Sequence, residues 1–315
     1  MRMITLSEAA TLLSENDNFH ILTHRYPDGD TLGCAFALCY ALRSMGKKAN
    51  IKVAPKVPSK FSYLEKNYKE QDFECKFVVS VDVAAPSLLG DLYDEYHDKI
   101  DLCIDHHGSN SMEADNICVD STCAAACEII YNLVVEMGVK ITKDIADALY
   151  TGISTDTGCF CYTNTTAQTH RIAAQLIDNG CDFATVNRIN FETKTRAKLK
   201  MERMVLDTME FYCGGKCAII YTTLAMQKAL SAGDDEMEGL ASIPRQIEGV
   251  KMGITMREKE DGTFKISVRT NDGVNASEFC KRFGGGGHAA ASGCSIKGDL
   301  ATAKYMLIKA AEEVL

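Results

Sequence analysis

The stretch KFVVSVDVA (76–84) is a run of Val and Phe that admits one carboxylate, Asp82. Short, apolar and bounded by polar residues, it reads as a buried strand. A lone aspartate in such a strand is costly to bury unless it is paired or holds a metal. The stretches FHILTH (19–24), ANIKVA (49–54), DLCIDHH (101–107) and NICVDS (116–121) repeat the pattern. Between and after them, TLGCAFALCYALRSMG (31–46), STCAAACEIIYNLVVEMG (121–138), TKDIADALYTGIS (142–154) and TAQTHRIAAQLIDNG (166–180) carry apolar residues at helical spacing. Several start on Ser or Thr and stop at Gly46, Gly138 or Gly180, as capped helices do. Strands alternating with helices predict an α/β fold with a doubly wound, mainly parallel sheet.

Beyond this first domain, set at 1–185, the stretch TVNRINFETKTRAKLKMERMVLDTME is charged, free of Gly and Pro, and helical in propensity. It predicts a linker helix over 186–210. A smaller α/β domain follows at 211–315. It has a strand at 215–223, a helical stretch from Leu224 and a Gly/Asp-rich break at 233–239. Strands at 250–258 and 263–270 are joined by the hairpin-type turn KEDG. A helix at 275–283, a four-glycine run and a closing helix at 301–315 complete it.

Two domains also suit the length of 315 residues. With 46% hydrophobic and 24% charged residues the chain is globular in composition. Its net charge of −9 argues against a protein that tracks long duplex nucleic acid, which needs a basic stripe. A small anionic substrate remains compatible, because bound metal inverts the local potential of an acidic pocket. No signal-peptide pattern opens the chain and no apolar run is long enough to span a membrane, so a cytoplasmic protein without membrane contact is expected. The 14 cysteines sit within apolar patterns, as free thiols do in a reducing compartment. Cys213 and Cys217 lack the matching second pair that a zinc site requires. A homodimer is compatible with all of this.

Asp and His residues gather at the ends of the expected elements. His24, Asp28 and Asp30 lie in HRYPDGD just beyond the first strand, Asp82 near the end of its strand, and Asp105, His106 and His107 at the end of another. Asp156 closes a helical stretch in GISTDTGCF. Each admits a plainer reading: Pro27-Asp28-Gly29 as an ordinary turn, the adjacent histidines as a loop contact, Asp156 as a cap. Together they require four coincidences at the places where open α/β sheets bind ligands. Carboxylate and imidazole donors without paired thiolates favour manganese, with iron, cobalt or magnesium as other candidates, and the donor count suggests two divalent ions. Two ions serve phosphoryl transfer, activating water and neutralising developing charge. In the second domain Arg269 precedes FGGGGHAAASG (283–293), where small helix-compatible residues follow the glycines. The backbone of Gly284, Gly285, Gly286 and Gly287 suits a close approach to an anion, with Arg269 and His288 as further donors.

In order, HRYPDGD, SVDVA, DHH and STDTG resemble the motifs of the DHH phosphoesterase superfamily, and FGGGGHAAASG is similar to the glycine-rich motif of its DHH-associated C-terminal domain. The length, with no additional domain, is most similar to the nanoRNase and pAp-phosphatase branch. The resemblance implies that His24, Asp28 and Asp82 hold one metal and Asp30, Asp82, His106 and Asp156 the other, with Asp82 as bridge. It implies that Asp105 orients a histidine, that His107 contacts the scissile phosphate, and that Arg269, Gly284–Gly287 and His288 bind the substrate's far end. Thr270 stands where such proteins often carry serine. The expected substrates are short oligonucleotides or nucleotide phosphates such as pAp. The alternative is a cyclic or linear dinucleotide, and a remoter one a non-enzymatic nucleotide-binding regulator.

Overall fold

The five apolar stretches expected as strands in the first half are strands, β2 (Phe19–Leu22), β3 (Ala49–Lys52), β4 (Phe77–Val81), β5 (Leu102–Asp105) and β6 (Asn116–Val119), and a short strand not expected from the sequence, β1 (Arg2–Met3), precedes them. They form one parallel sheet in the order β1-β6-β5-β4-β2-β3. The connections from β2 leave to β3 on one side and return to β4 on the other. The strand order therefore reverses between β2 and β4, and the carboxyl ends there form the switch-point crevice of a doubly wound sheet. This computed structural model describes residues 1–230, 234–237, 239–271 and 273–315. Its two compact units are Met1–Thr193 and Lys194–Leu315.

Helices α1 (Leu6–Glu15), α2 (Gly29–Ser44), the short α3 (Tyr93–Tyr96), α4 (Ala126–Glu136), α5 (Lys143–Asp156), α6 (Ala167–Asp178) and α7 (Phe183–Asn187) complete the first unit. Gly46, Gly138 and Gly180 end three of them at φ of +82°, +67° and +91°, the left-handed conformation that side chains resist. Helix α2 is buried along nearly its whole length, which explains its sequence of Leu, Ala, Cys and Phe on all sides. Against it packs α5, and the seam is lined with glycine. A Cβ on Gly33 would stand 2.5 Å from the Ala148 carbonyl oxygen, and one on Gly152 2.3 Å from the Cys127 Sγ.

Two expectations need correction here. The helix expected over 121–138 begins only at Ala126, because 121–125 form a turn. The linker helix expected over 186–210 is not one helix. After α7 come a π-type turn, Arg188–Glu192, and the extended residue Thr193, before α8 (Arg196–Leu206) starts afresh. Thr195 caps α8, its side chain accepting from the Lys198 N–H at 3.0 Å. A threonine that caps a new helix outcompetes propensity summed over the stretch.

In the second unit, β7 (Glu210–Tyr212), β8 (Cys217–Thr222), β9 (Met252–Glu258), β10 (Thr263–Thr270), β11 (Gly286–Gly287) and β12 (Ala291–Lys297) form a second sheet, ordered β11-β12-β10-β9-β8-β7. Only β8 and β9 pair in parallel among these described strands. Helices α9 (Leu224–Ala229), α10 (Asp234–Met237), α11 (Ala276–Lys281) and α12 (Leu300–Glu312) accompany it, and α11 and α12 share a core with Phe264, Ile266 and Val268 of β10. The break expected at 233–239 lies partly outside the described residues. Residues 289–293 were expected to be helix-compatible, yet Ala291–Gly293 open β12. Small residues carry little intrinsic preference, and pairing with β10 decides their state. Among the described residues no helix is long and apolar enough to cross a membrane.

Gly152→Ala should lower stability by about 2–3 kcal/mol through overpacking of the seam. Gly46→Asn, in open space, should cost less than about 1 kcal/mol. Urea midpoints at unchanged m-value test the contrast, and equal losses would remove the seam's special status.

Candidate metal centre

The loop after β2 presents His24, and Pro27 then leads into Asp28, the N-cap of α2. The Asp28 side chain accepts from the N–H groups of Asp30 and Thr31 at 3.0 and 3.1 Å. Thr31 Oγ1 donates to the Val81 carbonyl at 2.9 Å, which ties the start of α2 to the strand end that carries Asp82. Gly29 is required here, since a Cβ would stand 2.2 Å from Thr155 Oγ1 of α5. That contact brings Asp30, in the first turn of α2, beside Asp156, the last residue of α5.

Asp30 is fully buried. Its carboxylate accepts from the backbone N–H groups of Ala126 at 2.6 Å and Cys127 at 2.9 Å. The N-cap of α4, Ala125, offers no side-chain acceptor of its own, so Asp30 supplies the cap from another helix. Asp82 sits just past β4 at φ of +55°, a left-handed conformation uncommon outside Gly, Asn and Asp. It is 3% exposed, and its Oδ1 has no hydrogen-bond partner.

Around Asp82 the expected residues converge. His24 Nε2 lies 3.5 Å from Asp28 Oδ2 and 3.7 Å from Asp82 Oδ2. His106 Nε2 lies 3.4 Å from Asp156 Oδ2, 3.6 Å from Asp82 Oδ1 and 3.8 Å from Asp30 Oδ2. His106 Nδ1 donates to the Cys123 carbonyl at 3.2 Å, which leaves the Nε2 lone pair facing the carboxylates. His107 Nδ1 donates to Asp105 Oδ1 at 2.8 Å, and Asn110 Nδ2 donates to Asp105 Oδ2 at 2.5 Å.

The charges of this cluster are in conflict. Burial, and then the like charges of Asp30, Asp28, Asp156 and Asp105, push the Asp82 carboxyl well above the usual carboxylate range. Burial, followed by Asp30 and Asp28, pushes Asp156 up to about 9. Burial also raises Asp30. The hydrogen bond to Asp105 raises His107, against its own burial. Burial raises Asp105 too, but hydrogen bonds from His107 and Asn110 outweigh it and the net shift is downward. A buried carboxylate oxygen without a partner, among mutually repelling carboxyls faced by two imidazoles, is a donor set that fits a divalent cation. The trios His24/Asp28/Asp82 and Asp30/His106/Asp156 each place their donor atoms close enough to hold one.

All eight expected residues of the first unit are thus brought together. The remainder lie in the second unit. Arg269 stands on β10 opposite Ala291, whose backbone exchanges hydrogen bonds with that of His288. The glycines do not open a helix as anion-binding loops often do. They follow α11, and Gly286 and Gly287 pair with Gly293 and Ser292 of β12. Close approach still demands two of them, since a Cβ on Gly285 would stand 2.2 Å from the Gly293 carbonyl and one on Gly287 2.7 Å from that of Ala291. Thr270 turns to the other face of β10 from Arg269, its hydroxyl donating to the Ala289 carbonyl at 3.1 Å. Sequence reasoning missed Asn110 and the Ala126 and Cys127 N–H groups. Neither carries a local signal, since Asn110 reaches Asp105 only once the chain after β5 has turned back, and backbone donors have no residue type.

A cluster of carboxylates and imidazoles at the strand-order reversal has the donors of a metal-dependent hydrolase. The chain belongs to the DHH family: its residues 18–153 match the family's N-terminal domain, and residues 218–315 match the DHHA1 domain. It is a DHH-family phosphoesterase, and DHH phosphoesterases are metal-dependent. Over 314 residues it is 32% identical to the bifunctional oligoribonuclease and PAP phosphatase NrnA of Thermus thermophilus, covering 98% of this chain and 93% of that one. It is 26% identical to the Bacillus subtilis protein of the same name, covering 88% and 89%. An exopolyphosphatase-related protein from Bacteroides fragilis shares the fold at a TM-score of 0.89, with 24% identity and coverage of 98% and 96%.

The conflict of charge predicts how metal acts on stability. Asp82 and Asp156 have folded-state pKa values raised above their unfolded ones. Their protonated stability is therefore complete below about pH 4 and lost as pH rises, for Asp156 through about 9. Metal-free protein should show a Tm that falls from pH 5 to pH 9. Added manganese should raise Tm more at pH 8 than at pH 5, and Asp156→Asn should raise the metal-free Tm while weakening the metal response. Scanning calorimetry of stripped and reloaded protein reads all three, and a metal-free Tm that climbs with pH would contradict this account of the cluster.

Proposed function

We propose that this phosphoesterase degrades short oligonucleotides of about two to five units to mononucleotides by two-metal hydrolysis, and also removes the 3′-phosphate of pAp. The observation that carries the reading is the pair of donor trios around Asp82, whose two carboxylate oxygens face different imidazoles, Oδ2 toward His24 and Oδ1 toward His106. The relatives named oligoribonuclease and PAP phosphatase support the choice of substrate. Fourteen unpaired cysteines support a cytoplasmic setting.

In this reading His24, Asp28 and Asp82 would hold one divalent ion, and Asp30, His106 and Asp156, together with Asp82, would hold a second. When bound, the ions, manganese foremost, supply a water activated near neutral pH and neutralise the phosphate's charge. Asp105 accepts from Nδ1 of His107 and raises its pKa, which favours the form that presents Nε2–H to a phosphate or leaving oxygen. Asn110 holds Asp105 in that orientation. Arg269, the Gly284–Gly287 backbone and His288 grip a phosphate of the substrate.

Turnover tests the reading directly. Manganese-loaded protein should hydrolyse 5′-labelled dinucleotide, five-mer and pAp faster than cyclic di-AMP or pyrophosphate. Asp82→Ala should abolish turnover and lower metal occupancy, whereas Arg269→Ala should raise KM about tenfold with little change in kcat. Metal-loaded protein that cleaves none of these substrates, or Asp82→Ala at near-normal rate, would defeat the proposal.

A further inference from the structure

The loop between β2 and α2 runs His24-Arg25-Tyr26-Pro27-Asp28, so an exposed cation and an exposed aromatic ring stand between two residues of the metal centre. Tyr26 is 69% exposed, more than any other aromatic residue described, and it belongs to none of the hydrophobic cores. A single exposed apolar side chain is ordinary on a protein surface. Tyr26 is set apart by its place and by what holds it.

Its backbone N–H donates to His24 Nδ1 at 3.3 Å. Two residues of chain span at most about 7 Å, so the Cα of Tyr26 stands within that distance of the Cα atoms of both His24 and Asp28. Pro27 narrows the backbone freedom of the residue before it, and a tyrosine side chain has only two torsions to fix on binding. The guanidinium of Arg25 lies over the Tyr26 ring, 5.0 Å from its centroid. Arg25 is itself braced against the chain after β4. Its N–H donates to the Leu88 carbonyl at 2.7 Å, and a Cβ on Gly90, at φ of +58°, would stand 2.6 Å from the Arg25 Cβ. A ring covered by a cation on one face and still so exposed presents its other face to solvent.

An open aromatic face beside a centre that hydrolyses phosphate esters fits a nucleobase, which is a flat ring joined through its sugar to the phosphate. Stacking accepts every base, because each has a π-face, and it strengthens with the larger face of a purine. The base is remote from the reacting bonds, so stacking holds the ground state and the transition state alike. Such binding lowers KM and leaves kcat unchanged.

We propose that Tyr26, backed by Arg25, is the platform on which the base of a nucleotide at the scissile phosphate stacks. The platform favours purines at that position and separates nucleotides from base-free sugar phosphates. This inference rests on the oligonucleotide reading above and deepens it.

The chain contains no tryptophan, so Tyr26→Trp creates a single fluorescent reporter at the platform. In manganese-loaded, full-length protein, saturating AMP should quench that fluorescence strongly, and saturating ribose 5-phosphate should leave it unchanged. Tyr26→Ala should raise KM for pApA about tenfold with kcat and Tm unchanged. Its KM for pUpU should rise less, and its KM for an abasic dinucleotide should not change. Tyr26→Phe, which keeps the ring, should match the unaltered chain. No quenching by AMP, an unchanged KM for pApA, or an equal rise for the abasic dinucleotide overturns the platform while turnover by the unaltered protein leaves the oligonucleotide reading standing. A loss carried by kcat assigns the effect to displaced His24 and Asp28 and overturns it too. Unaltered, metal-loaded protein that hydrolyses no oligonucleotide overturns both.

Discussion

The first unit depends on the close contact of α2 with α5. Gly29, Gly33 and Gly152 remove the side chains that would hold the two helices apart. A methyl group on Gly152 would strike the Cys127 sulfur and, at 2.6 Å, the Asp30 carboxylate. The seam therefore sets more than packing. It decides how near the first turn of α2, with Asp30, lies to the last turn of α5, with Asp156, and it leaves the Asp30 carboxylate against the N-terminus of α4.

From that contact the electrostatics follow. Asp28 and Asp30 are held on the backbone donors of helix starts, where partial positive charge favours carboxylates. Asp82 has no such support: it stands in a left-handed conformation with one oxygen unpartnered and four carboxylates acting on it. In a metal-free state protons must relieve the repulsion; a divalent cation relieves it at neutral pH. The carboxylates of the candidate metal centre thus lower the stability of the metal-free fold, a cost that functional sites commonly carry.

Much of this was legible in the chain. Alternating apolar stretches specify the parallel sheet, and all but the one at 49–54 end where an aspartate or histidine stands, so the convergence of His24, Asp82 and Asp105 at one sheet edge follows from strand direction. The failures share one cause. Thr193 and Thr195 interrupt a stretch of good helix formers, and Ala291–Gly293 became a strand because β10 offered a partner. In both places weak local preference yielded to a cap or to pairing with a distant strand. Asn110 was overlooked because its role as a brace for Asp105 exists only once the chain after β5 has turned back.

The sequence by itself determined the order of elements, the identity of the eight Asp and His residues that gather in the first unit, and the glycine motif that the second sheet absorbs. Periodicity and residue chemistry are local properties, and a strand end is a local event. Tertiary structure alone decided which helix Asp30 caps, which oxygen of Asp82 is left unpartnered, and that Asn110 braces Asp105. Those depend on register and on contact between residues as much as 97 positions apart, which no local pattern encodes.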